Sequence, residues 1–332
     1  METYINCSIL ADFFDNQPLP IPLGEENDNS RWHSFWKYLQ QETDLFIDDP
    51  TNLTDDQIRF LDQILLRNRN ETKWYKKQDL LDSPYKNVLK NKSPHSFYCI
   101  DIVDQQEQKR FKLKNGLLIG FLHNYLKEWE RFKLIKEKFK SFPVRKGIKG
   151  PVFSSWELLD KFLAPFTDVV LVDNYIFSDE NLVSSNFERI VNELDKATPV
   201  KYNFLIVTFE GDKYKLNGQK IFDQLKVLKT KSQLKCDVGL VIATRKVKEH
   251  DRGIFTNYLR IKSGDSFNYF NSNDEIITGT DIDFCSMAEP DKAHAAKVAL
   301  DSIAKNILLP MKQGFTDTHV FGNTENRLLN LG

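Results

Sequence analysis

The chain has 332 residues, 41% hydrophobic and 28% charged, a globular balance that excludes collagen-like, disordered and disulfide-scaffold classes. At roughly 100–200 residues per domain, this length corresponds to about two domains. The formal net charge of −1 excludes a net field that would draw nucleic acid, so such affinity must come from a local patch.

The N-terminus, METYINCSILADFFDNQ, has no basic region ahead of its apolar residues and carries acids early, unlike a signal peptide. No apolar run reaches the ~18 residues of a membrane helix. The four cysteines, Cys7, Cys99, Cys236 and Cys285, stand singly with no CxxC pair. They fit neither a zinc site nor a disulfide framework, and a cytoplasmic location is expected.

In chain order, Tyr4–Leu10 reads as a short strand and is followed by a Pro- and Asn-rich loop. Arg31–Gln41 and Asp55–Arg67 carry apolar residues at helical spacing. Ser96–Val103 reads as a strand, and Gly116–Phe139 passes from an apolar start into a long charged helix. Pro143, Gly147, Gly150 and Pro151 punctuate the basic segment 141–151, which reads as a linker or hairpin. The expected boundary falls there, with an N-terminal domain over 1–148 and a second domain over 149–332.

The second half is more regular. Helices are expected over Ser154–Leu163, Asp179–Ala197, Gln219–Leu228 and Pro290–Ile307. Strands are expected over Asp168–Ile176, Tyr202–Phe209, Cys236–Ala243, Gly253–Lys262 and Asp274–Cys285. Near-continuous apolar strands alternating with helices predict an α/β fold whose sheet is mixed and largely parallel. The N-terminal domain is expected to be α/β or α+β. In such sheets, ligands bind at the carboxyl ends of the strands. The loop after Cys236–Ala243 is therefore the first place to look for chemistry.

That loop holds Arg245, Lys246, Lys248, Glu249, His250, Asp251 and Arg252. His250 and Arg252 point the same way on an extended segment. A neutral imidazole beside a guanidinium suits attack on a phosphodiester, with the guanidinium holding the phosphate oxygens. Downstream, Gly264 lets backbone approach a ligand, and the Ser266 hydroxyl can bond a phosphate oxygen. Lys248, Arg260, Lys262 and Gly264 are the expected substrate-binding residues. The basic run suits a phosphate-binding rim and equally suits a solvated face. The basic stretch from Lys127 onward suits an anionic surface or a solvated, packed helix.

His250-x-Arg252, four residues, Asn257, six residues and Gly264-Asp265-Ser266 resemble the motif of the phospholipase D-like superfamily. That motif is His-x-Lys, four residues, Asp, about six residues and a Gly/Ser/Asn patch. The resemblance covers roughly residues 151–310. The run HDRGIFTNYLRIKSGDSFNYF is especially similar to the phospholipase D-like half of MIT-domain-containing proteins of membrane abscission, a group with a degraded catalytic set.

For active members, the resemblance implies a metal-free, cofactor-free reaction. The motif His attacks phosphorus to form a phosphohistidine, a second motif His protonates the leaving oxygen, and water releases the product. By position, His250 is the nucleophile or general acid, Arg252 takes the Lys role, Asn257 stands where the family has Asp, and Ser266 falls in the phosphate patch. Arg cannot be deprotonated, and Asn257 carries no charge to hold an imidazolium. No second motif occurs. His33, His95 and His123 lack a cation two residues on, so catalysis implies a homodimer.

The expected function is a phosphodiesterase, as a nuclease in bacterial defence or nucleic-acid processing. The alternative is a degraded module that binds a protein, nucleic acid or membrane, with membrane the less expected partner. The N-terminal domain suits partner or substrate recognition. Its acids Asp12, Asp48, Asp49, Asp101 and Asp104 lie near expected element ends, where carboxylates gather on Mg²⁺ in PIN-like nucleases.

Overall fold

The computed structural model describes residues 1–18, 29–75, 94–133, 141–147, 151–178, 186–210, 216–243, 252–313 and 319–329. The chain divides into two compact units, residues 1–133 with 288–290, and residues 134–287 with 291–332. The dividing point precedes the punctuated segment because Ser141–Val144 is itself a strand, β6, of the second unit's sheet.

The first unit is α/β. Strands β1 (Glu2–Ile5), β2 (Asp44–Ile47), β3 (Thr72–Trp74), β4 (Ser96–Ile100) and β5 (Ile119–Phe121) form one sheet in the order β3-β2-β1-β4-β5. Every pairing in it is parallel. Register places Tyr4 opposite both Phe46 and Tyr98. Their rings stack at 4.5 and 5.0 Å between centroids, a cross-strand aromatic ladder that fixes the alignment.

Helices α1 (Cys7–Asp15), α2 (Asn29–Gln41), α3 (Asp55–Arg67), α4 (Gln105–Asn115) and α5 (Tyr125–Phe132) complete this unit. The expected first strand is shorter than its apolar run. It stops at Ile5, and the residues from Cys7 turn helical to bury Ile9, Leu10 and Phe13. Helix α3 matches its expected range because Thr54 and Gln57 close a reciprocal capping box at its start.

The second unit is also α/β, with an eight-stranded sheet ordered β13-β9-β8-β7-β10-β11-β12-β6. Strands β7 (Asp168–Val172), β8 (Tyr202–Phe209) and β9 (Cys236–Ala243) run parallel. Strands β10 (Gly253–Thr256), β11 (Leu259–Ser263), β12 (Thr280–Ser286) and β13 (His319–Gly322) pair antiparallel with their neighbours, as does β6. The sheet is mixed as expected, but its parallel part is confined to the three central strands.

Residues alternate between two cores along these strands. Val169, Leu171, Phe204 and Ile206 join one core with Ile190, Val191 and Leu194 of α6 (Glu188–Ala197) and Ile221, Leu225 and Leu228 of α7 (Gly218–Lys231). Val170, Val172, Leu205 and Val207 join the other with Ala296, Leu300 and Ile303 of α8 (Pro290–Ile303). The central strands are thus buried on both faces, which explains their unbroken apolar sequences.

Other expected elements differ too: the strand expected over Asp274–Cys285 begins only at Thr280, and the described part of Gly116–Phe139 holds β5 and the short helix α5. Ser155 caps a 3₁₀ turn, Trp156–Lys161, in place of the helix over Ser154–Leu163. The single strand expected over Gly253–Lys262 is a hairpin, β10–β11, turning at Asn257 and Tyr258. The Thr256 hydroxyl holds that turn by accepting from the Tyr258 and Leu259 amides at 3.3 and 3.1 Å.

Candidate functional site

Strand β7 ends at Val172, which pairs with Gly253 at the start of β10. Asp173 and Arg252 therefore emerge together at the carboxyl end of the parallel strands. Asp173 is fully buried. One carboxylate oxygen accepts from the Tyr175 amide at 2.9 Å, and the other accepts from the Ser266 hydroxyl and the Phe267 amide, both at 2.7 Å. Burial pushes its pKa up to about 6, opposed by those three hydrogen bonds and by the Arg252 charge.

Arg252 donates to the Gly264 carbonyl at 3.0 Å and lies 3.8 Å from Asp265. Its guanidinium sits over the Tyr175 ring, 5.6 Å from the centroid. A Cβ at Gly264 would stand 2.6 Å from the Thr280 hydroxyl, which would have to turn away. Asn268 completes the cluster. Its amide donates to the Tyr175 carbonyl at 2.6 Å, while its buried side-chain oxygen has no hydrogen-bond partner among the described residues. The arrangement supplies a cation, a hydroxyl, an amide oxygen and a buried carboxylate at the carboxyl end of the parallel strands.

The expected site residues thus separate into groups. Arg252, Gly264 and Ser266 come together. Lys262 is exposed on β11, opposite Asp283 of β12. Arg260 is not on an open rim: it is 4% exposed, with its guanidinium 5.2 Å from the Phe255 ring centroid. His250, Lys248, Arg245 and Lys246 lie outside the described residues.

Asn257 lies at the far end of β10, about 16 Å from Arg252 at the rise of an extended strand. It is fully buried, and its side-chain oxygen accepts from the Thr167 and Asp168 amides at 2.9 and 3.2 Å. Asp168, also fully buried, pairs with Arg327 at 3.0 Å and accepts from the Arg327 amide at 3.0 Å. Asn257 is therefore a structural clasp and not a partner of the Arg252 cluster.

Asp173, Tyr175 and Asn268 are the residues that sequence reasoning passed over. The available signal was the polar Asp173-Asn174-Tyr175 directly after an apolar strand, where parallel sheets place their ligands.

The acids of the first unit come together more than their sequence spacing shows. Asp12, Asp48, Asp49 and Asp101 line one cavity of about 560 Å³ with Cys7 and Ser8. Asp104 is elsewhere and caps α4 by accepting from the Glu107 amide at 2.7 Å. The cavity acids already hold protein donors, Asp49 among them through the Thr51 amide at 3.0 Å. Asp48 accepts from Asn6 at 2.7 Å, Asp101 from Ser8 at 2.8 Å and Asp12 from Tyr125 at 2.9 Å. Among the described residues, no group of three or more His, Cys, Asp or Glu side chains is placed to hold a metal ion. Among the same residues, no helix is long and apolar enough to cross a membrane.

Searches against protein-family models and curated proteins found no match to this chain.

Proposed function

We propose that the second unit is a phospholipase D-like phosphodiesterase that cleaves nucleic acid without a metal. The observation that carries this reading is the convergence of Arg252, Gly264 and Ser266 on Asp173 at the carboxyl end of β7. In this reading, the Arg252 guanidinium holds the phosphate oxygens, and Ser266 is oriented through its bond to Asp173. His250, two residues before Arg252, attacks phosphorus and takes the phosphoryl group. The leaving oxygen takes a proton from a second His250 in a homodimer. Water then releases the phosphate and regenerates the imidazole. A role in defence or nucleic-acid processing fits this chemistry by analogy alone.

One observation favours the alternative, a binding module with a degraded site: Arg252 is already engaged by the Gly264 carbonyl and Asp265. Both readings are tested with labelled single- and double-stranded DNA and RNA, with and without EDTA, using wild type and His250→Ala. The nuclease predicts EDTA-resistant cleavage that disappears in the variant. The module predicts binding without cleavage. Cleavage that needs a divalent ion and ignores His250 would sink the phosphohistidine mechanism.

A further inference from the structure

A second cavity in the first unit has a different character from the acidic one. It measures about 500 Å³ and lies among residues of α1, α2 and α3. Its aromatic wall comes from Phe14, Trp32, Trp36 and Phe60. Trp32 and Trp36 lie one helical turn apart, with ring planes 16° from parallel and centroids 5.4 Å apart. Trp36 also meets Phe60 at 4.7 Å, and Phe14 meets Phe60 at 5.2 Å.

Burial divides these rings. Trp32 and Phe60 are 6% and 4% exposed and form a fixed floor. Trp32 is locked further by donating its indole N–H to the Phe13 carbonyl at 2.9 Å. Trp36 and Phe14 are only half-buried and present ring surface to the cavity.

The rim is basic. Arg59, Gln63 and Arg67 recur every four residues along one face of α3 and line the cavity. Among the described residues of the lining, Asp56 is the one carboxylate, paired with Arg59 at 3.3 Å with both side chains about three-quarters exposed. Such an exposed pair is weak and readily exchanged for another anion.

We propose that this cleft binds single-stranded nucleic acid. An unpaired base stacks on Trp36, and its flanking phosphates lie along Arg59 and Arg67. A purely apolar ligand would leave the guanidiniums without purpose, and a simple anion would leave the half-exposed rings without purpose. A nucleotide uses both, and a sequence-tolerant single-strand site combines aromatic platforms with cations in this way. The inference rests on the proposed nuclease reading only for the choice of polymer.

The test is a binding titration of labelled oligo-dT, of the same length in duplex form, and of an abasic single strand. It uses full-length His250→Ala to prevent cleavage. The single strand should bind best and quench tryptophan fluorescence. Trp36→Ala should weaken binding about tenfold, while Trp36→Phe restores most of it. Arg67→Ala should weaken binding and lower the salt slope by about one.

Equal affinity for the abasic strand, or binding unchanged in both Trp36→Ala and Arg67→Ala, would overturn the inference. Trp36-dependent binding without wild-type cleavage would leave the cleft standing and remove the nuclease. Cleavage with binding indifferent to Trp36 and Arg67 would do the reverse.

Discussion

The two ends of β10 carry parts of one sequence motif and have opposite characters. At the Arg252 end, polar groups gather at the carboxyl end of β7 around a buried carboxylate that accepts from Tyr175, Ser266 and Phe267. At the Asn257 end, the polar groups are spent on backbone amides and an ion pair. Asn257 holds the backbone before β7, and Asp168 is sealed by Arg327. Motif spacing alone does not make neighbours. Four strand residues between two motif positions send one to the site and the other to the scaffold.

The largest expected effect tests the scaffold end. Asp168→Ala removes a buried carboxylate that binds the Arg327 side chain and amide and the Thr167 hydroxyl, and should cost about 3–5 kcal/mol in urea unfolding. A cost below about 1 kcal/mol would break the contrast.

The next concerns the site end and pH. Asp173 has a folded pKa near 6, above the ordinary 3.8. Folding therefore favours its protonated form. That stabilisation is whole below pH ~4 and is lost as pH rises through about 6. Relative to Asp173→Asn, wild type should lose about 3 kcal/mol between these limits. Parallel stability curves for the two proteins would refute this placement of Asp173.

Asn257→Asp restores the residue type of the phospholipase D-like motif, yet it should destabilise by about 2 kcal/mol, because it sets a carboxylate beside buried Asp168. A gain in cleavage from this change would place Asn257 back in the chemistry. The smallest stability effect is expected for Arg252→Ala, about 1 kcal/mol, since the partly exposed side chain makes one hydrogen bond, a ring contact and a weak pairing with exposed Asp265. Its effect on cleavage should be large, about a hundredfold. The ratio of these two effects sharpens the distinction between scaffold and site.

Much of this was legible in the sequence. Tyr202–Phe209 and Cys236–Ala243 are strands over their expected ranges because central parallel strands are apolar on both faces. Asp55–Arg67 was legible through its helical spacing. The hairpin in Gly253–Lys262 was not, because an Asn-Tyr turn carries none of the usual Gly signals and its bonds come from Thr256. β13 was also missed; it is four residues, half-exposed or exposed throughout, and exists only by pairing with β9. In the site, the sequence pointed to Arg252, Gly264 and Ser266 by spacing. Asp173 stood in the sequence as a polar residue after an apolar strand, but only strand pairing set it beside them. Arg260 was misjudged because a cation in a strand looks solvated until the neighbouring strand covers it.

The clasp at the start of β7 also bears on synthesis. Asn326 donates to the Val169 carbonyl and Arg327 bonds Asp168, across sequence separations of 157 and 159 residues. A ribosome adding about 5–20 residues per second needs roughly ten to thirty seconds to cover that distance. For that interval, Asp168 is without the Arg327 that pairs with it in the folded unit. The second unit therefore completes its fold only after residue 327 has been added, and its contacts of long sequence separation make that a slow step.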